Sequence, residues 1–177
     1  GTKVEDLTRA ELVCRSQMEP IVNFLREYAP GYEHCYILTA ASQIGVRETR
    51  HFHGVYTINE QEIYEAKQFD DAVVYDAWFN FDIHNIDGAG LDAHGNQKHF
   101  EQNLGYTIPY GCMVPEKVDG LLLSGRNISG THVAHSSFRA MPICSGIGEA
   151  DGIAAALAVK TGKEVRDVSP KDIQRHL

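Results

Sequence analysis

Residues 118–161 read VDGLLLSGRNISGTHVAHSSFRAMPICSGIGEADGIAAALAVKT, and this stretch decides the fold. It opens with a short apolar run, Leu121-Leu122-Leu123, closed by Ser124 and Gly125. A run of that length bounded by glycine predicts a buried strand, being too short for a buried helix. A polar segment rich in Gly, Ser, Thr and His follows from 126 to 138. Pro142 then stands where a helix can begin, because a first turn does not need its missing N–H. Residues 143–160 are strong helix formers, and Gly162 stops them. Gly148, Gly152 and Ala156 recur four apart, so one face of that helix is nearly bare backbone. A sheet or a planar cofactor can approach such a face closely.

Two nucleotide motifs come close here and fail. Gly125 and Gly130 have the spacing of a phosphate loop, but Thr131 stands where its lysine belongs. Gly146, Gly148 and Gly152 are one residue too widely spaced for the dinucleotide fingerprint, and they fall inside the helix when that fingerprint bridges strand and helix. What remains is strand, glycine, arginine, polar loop, proline and small-residue helix. Its physical content is a helix N-terminus with free N–H groups, aimed at an electron-rich group.

This order of motifs resembles the C-terminal FAD-binding segment of FAD-dependent oxidoreductases with a glutathione-reductase-like FAD fold. Their signature runs LLVAGR, then His, then R-x-MP, then a Gly/Ala helix. The resemblance extends upstream through Ile108-Pro109-Tyr110, Asp82-Ile83-His84 and residues 45–50, so it covers nearly the whole chain. It implies an α+β fold derived from α/β: a mixed sheet with packed helices, the C-terminal part of a two-part FAD-binding fold. It also implies one domain over 1–177, with a substrate or cap-like part over 1–115 and the FAD-binding segment over 116–177.

As the resemblance has it, Gly125, Arg126, Asn127, Ile128 and Ser129 line the pyrophosphate and ribityl region of FAD. His132, Arg139, Met141, Pro142 and Ile143 lie near its ring. Arg47, Arg50 and His84 bind or protonate a small, acidic organic substrate that exchanges hydride with the flavin. Nothing in residues 1–30 supplies the strand, GxGxxG turn and helix that hold the ADP half of FAD in this family. The chain is therefore expected to be the C-terminal portion of a longer protein, with the dinucleotide-binding region of that protein as partner and weak FAD binding by itself. Glu149 and Asp151 stand where the family usually has Gln and Ala.

Composition bounds the rest. A chain of 177 residues, 43% apolar and 23% charged, suits one soluble globular domain. A net charge of −8 with no Lys/Arg block argues against nucleic acid as a partner. The longest apolar-rich segment, 152–159, is too short for a bilayer, so no membrane is expected. Cys14, Cys35, Cys112 and Cys144 form no CxxC pair and read as free thiols of a reducing cytoplasm. A homo-oligomer is compatible with all of this.

Upstream, Thr8 and Glu11 fit a capping box, and Leu12, Val13, Met18, Ile21, Val22, Leu25 and Tyr28 form a helical stripe that Pro20 should kink. Residues 35–41 read as a strand. Asn59 or Thr57 caps a short helix, 72–78 reads as a strand, and Tyr75, Trp78, Phe79 and Phe81 as core. Residues 85–103, with His94 and His99, form a long polar loop of the kind that acts as a lid. Residues 104–115 predict strands broken at Pro109, with Tyr110 either against the isoalloxazine or half-buried in the sheet. Ser169 and Pro170 begin a last helix. Two rival functions stay open: a metal-dependent hydrolase using His51, His53, Asp82 and His84, and a non-catalytic scaffold. On the flavin reading no metal is expected.

Overall fold

A computed structural model describes residues 1–85, 102 and 104–177. The polar loop expected over 85–103 therefore lies almost wholly outside the described residues. The chain divides into two compact units, Gly1–Arg50 and His51–Leu177, a boundary well upstream of the one expected at 115/116.

The first unit holds helices α1 (Val4–Ser16) and α2 (Met18–Tyr28). Thr8 is not a cap: α1 starts earlier, and the Thr8 hydroxyl donates to the Val4 carbonyl at 3.0 Å. The helix breaks at Gln17, upstream of Pro20, which lands in the first turn of α2 where no N–H is required. Residues 35–41 form no strand. Their terminal carbonyls accept from side chains instead, Cys35 from Arg26 at 2.9 Å and Ala41 from Arg15 at 3.1 Å. Glu11 closes this layer by accepting the Ile44 N–H at 2.8 Å and pairing with Arg15.

The second unit contains α3 (Glu60–Tyr64), β1 (Ala72–Ala77), β2 (Tyr106–Pro109), α4 (His132–Phe138), α5 (Met141–Thr161) and α6 (Pro170–Gln174). Asn59 and Glu62 form a capping box at the start of α3. β1 and β2 pair antiparallel, with Ala72 opposite Pro109, Val74 opposite Ile108 and Ala77 opposite Tyr106. The fold is α+β, helices around a small sheet. Beside this antiparallel pair the described residues hold isolated bridges, antiparallel between Gly54 and Pro115 and parallel between Ile58 and Gly130.

The register shifts between Val74 and Ala77, where Asp76 takes φ +51°. This irregularity corrects the expected aromatic core. Phe81 is buried, but Tyr75, Trp78 and Phe79 are 52%, 46% and 37% exposed, because the bulge interrupts alternation. The run 121–124 is corrected as well: it forms no strand, Leu121 and Ser124 are exposed, and the Leu123 N–H donates to the Met113 carbonyl at 3.0 Å.

The helix expected near Pro142 begins at Met141 and ends on Gly162 at φ +66°. Its 21 residues are long and apolar enough to cross a bilayer by length and composition, unlike the shorter run read from sequence. Ile143, Ile147, Ala150, Ala154 and Ala158 are buried in the core of the unit. Phe138 is fully buried beneath Gly130, where an added Cβ would come within 2.4 Å of its ring.

Candidate functional site

The site is built where α4 turns into α5. Thr131 caps α4, accepting the Ala134 N–H at 3.2 Å and donating its hydroxyl to Glu60 at 2.7 Å. The far end of α4 is held by Ser137, whose hydroxyl donates to the Phe79 carbonyl at 2.7 Å and meets the Tyr106 hydroxyl at 3.0 Å. Arg139 is thereby presented at the C-cap of α4, two residues before α5 begins.

Arg139 donates to the Asp82 carboxylate at 2.5 Å and to the Asp82 carbonyl at 3.0 Å. The other carboxylate oxygen of Asp82 lies 3.3 Å from His84 Nε2. One acid thus bridges a guanidinium and an imidazole. The Arg139 side chain is 15% exposed and that of His84 56%, so the imidazole is the open end of the triad.

α5 has no side-chain cap. Its N-cap is Ala140, and Met141 is 84% exposed, so the positive end of a 21-residue helix opens to solvent. Gly125, Arg126 and Asn127 form a 3₁₀ turn entered at φ +68°, a left-handed conformation that favours glycine. This turn is brought against the first turn of α5, since a Cβ on Gly125 would lie 3.9 Å from that of Cys144. Burial pushes the Cys144 thiol up, opposed by the Arg126 guanidinium, which leaves little thiolate character.

The structure therefore gathers Gly125, Arg126 and Asn127, the exposed Met141 and Pro142, and in the same unit the linked Arg139 and His84. His132 is exposed at the start of α4. Ile128, Ser129 and Ile143 are turned into the core: Ser129 is fully buried, its N–H donating to Cys112 at 2.8 Å and its hydroxyl meeting Thr57 at 2.8 Å. Tyr110 is also buried, its hydroxyl donating to the Val165 carbonyl at 2.7 Å. Arg47 and Arg50 belong to the first unit, where both are exposed. Asp82, named from sequence only in a motif and in the hydrolase alternative, is the residue that joins the site. Its link to Arg139 spans 57 positions and carries no local signal.

The ligand set of a hydrolase does not assemble. The His51 ring packs edge-on against buried His135 at 5.4 Å, and among the described residues no three of His, Cys, Asp and Glu converge to hold a metal ion.

No curated protein and no solved structure matches the chain. A family model with the description FAD dependent oxidoreductase matches residues 1–177.

Proposed function

We propose a mechanism from the premise that this chain belongs to the FAD dependent oxidoreductase family. The class is a flavoprotein oxidoreductase; the reaction we infer within it is hydride transfer between a carbon of a small organic acid and the flavin. Bound FAD supplies the two-electron acceptor, and the chain's part is to hold it, orient the substrate and manage the proton.

The residues present fit a flavin edge. The uncapped start of α5 favours negative charge, of the kind that a reduced isoalloxazine would carry. Arg126 and Asn127, exposed on the turn beside it, suit the diphosphate and ribityl side, where a guanidinium can hold two phosphate oxygens at once. Arg139, neutralised and fixed by Asp82, holds the entry to the helix rigid.

His84 is the residue we assign to the substrate proton. With the Asp82 carboxylate facing Nε2, the proton of the neutral ring sits on that nitrogen, and Nδ1 is left as the base. An acidic substrate is the class that the guanidinium pair Arg47 and Arg50 suits, a role that rests on the resemblance. A cytoplasmic setting is supported by the four cysteines, all free thiols.

The observation that carries this reading is the Arg139–Asp82–His84 bridge in the unit that bears the uncapped end of α5. Anaerobic reduction of the bound flavin by a panel of small hydroxy and amino acids tests it. We expect His84→Asn to keep the flavin spectrum and lower the rate of reduction about 100-fold. Reduction at the wild-type rate in that variant would remove His84 from the mechanism.

A further inference from the structure

β1 and the first half of α5 enclose a cavity of about 380 Å³. Its floor is apolar, made by Val74 of β1 and Ile143 of α5, with Gly146 letting the helix approach: a Cβ there would lie 3.5 Å from Val74. It meets the flavin residues named above only at Pro142 and Ile143, and it contains neither Asp82 nor His84.

The walls are chemically one-sided. Asp76 lines one side and Glu149 the other, and among the described residues no Lys, Arg or His lines the cavity. Trp78, 46% exposed, supplies an aromatic surface between apolar floor and solvent. The position of Asp76 is set three ways. Its backbone is held at φ +51°, its carboxylate accepts the Trp78 indole N–H, and it packs over Gly105, where a Cβ would meet its Oδ1 at 2.3 Å. Asp76 therefore orients the indole while its second oxygen is left for another donor. Glu149 makes no hydrogen bond or ion pair among the described residues and is exposed on α5.

We propose that this cavity binds an organic ammonium ion, a cation carrying an apolar or aromatic substituent. The apolar floor takes the substituent, the indole face attracts the cation through its ring quadrupole, and the two carboxylates neutralise it. A carboxylate ligand would meet two like charges with no cation among the described lining residues to offset them, and a neutral ligand would leave both acids unanswered. The inference is independent of flavin.

Trp78 is the only tryptophan in the chain, so emission excited at the red edge, where tyrosine does not absorb, comes from this cavity. The test titrates the 177-residue chain with benzyltrimethylammonium, benzyl alcohol and benzoate, following Trp78 emission. The cation should give a saturable change that the alcohol and the benzoate do not give at equal concentration. Glu149→Gln, an exposed substitution that leaves the fold intact, should weaken the cation about tenfold, as should Asp76→Asn, which keeps an acceptor for the indole and tolerates positive φ. The proposal is overturned by a linear response to the cation, by an equal response to benzoate or benzyl alcohol, or by wild-type affinity in Glu149→Gln.

Discussion

Arg139 and Asp82 are joined twice, by a 2.5 Å ion pair and a 3.0 Å bond from the same guanidinium nitrogen to the Asp82 carbonyl. The residue before the α5 cap is thus tied to both side chain and backbone of a distant segment. Removing the guanidinium takes an ion pair from a partly buried carboxylate and a donor from a carbonyl, so Arg139→Ala should destabilise the protein by about 2 kcal/mol. That corresponds to a fall of roughly 4–8 °C in melting temperature. Arg139→Lys keeps a positive nitrogen with donors for both oxygens but on a shorter stem, so it should recover part of the loss.

Glu62 has a comparable role at α3. It completes the capping box, accepts Lys67 Nζ at 2.7 Å, and accepts the Tyr56 hydroxyl. Burial alone would raise its carboxyl, but the Lys67, Tyr56 and Asn59 hydrogen bonds outweigh it and hold it below the ordinary 4.5. Its contribution is therefore present above pH 4.5 and lost as pH falls through the lowered value. Glu62→Gln should cost about 1–3 kcal/mol at neutral pH and flatten the acid limb of a stability curve. An unchanged acid limb would show that other carboxylates set it.

Asp151 predicts the opposite slope. It is 7% exposed on α5, and neither carboxylate oxygen has a hydrogen-bond partner among the described residues. Burial pushes its carboxyl from 3.8 up to about 7, against a lowering effect of the Ser124 hydroxyl. Between those values the folded state holds a proton that the unfolded state has released. Stability attributable to this group falls as pH rises through the window and levels off above pH 7, by about 4 kcal/mol at most. Asp151→Asn should abolish this decline in melts taken from pH 4 to pH 8, and a decline that persists would contradict the assignment.

Gly130 is a packing requirement. A Cβ there would sit 2.4 Å from the Phe138 ring and 3.3 Å from Ile58, both fully buried. Gly130→Ala should cost about 1–3 kcal/mol by chemical denaturation. Adding Phe138→Leu should produce less than the sum of the two single effects, because the smaller side chain relieves the clash.

How much of this was legible in the sequence follows from the range of the interactions. Local signals were read well: the start of α5 from Pro142, its stop from Gly162, the Asn59 cap and the β1 and β2 segments all rest on chemistry within a few residues. Residues 121–124 and 35–41 looked like strands because they are apolar, but a strand needs a neighbour, and their backbone groups bond Met113, Arg26 and Arg15. Tyr75 and Trp78 looked like core because alternation was assumed, and the left-handed Asp76 breaks it. In the site, the resemblance named His84 and Arg139 separately. Their junction through Asp82 was not legible, since nothing local couples positions 82 and 139.

A chain of the FAD dependent oxidoreductase family belongs to a protein whose flavin is visible in one optical measurement. The protein that carries this chain, purified without added cofactor and scanned in the visible, should show the two absorption bands of oxidised flavin. These bands should bleach on anaerobic reduction and return in air. A colourless protein that stays colourless after incubation with FAD and gel filtration would contradict the account.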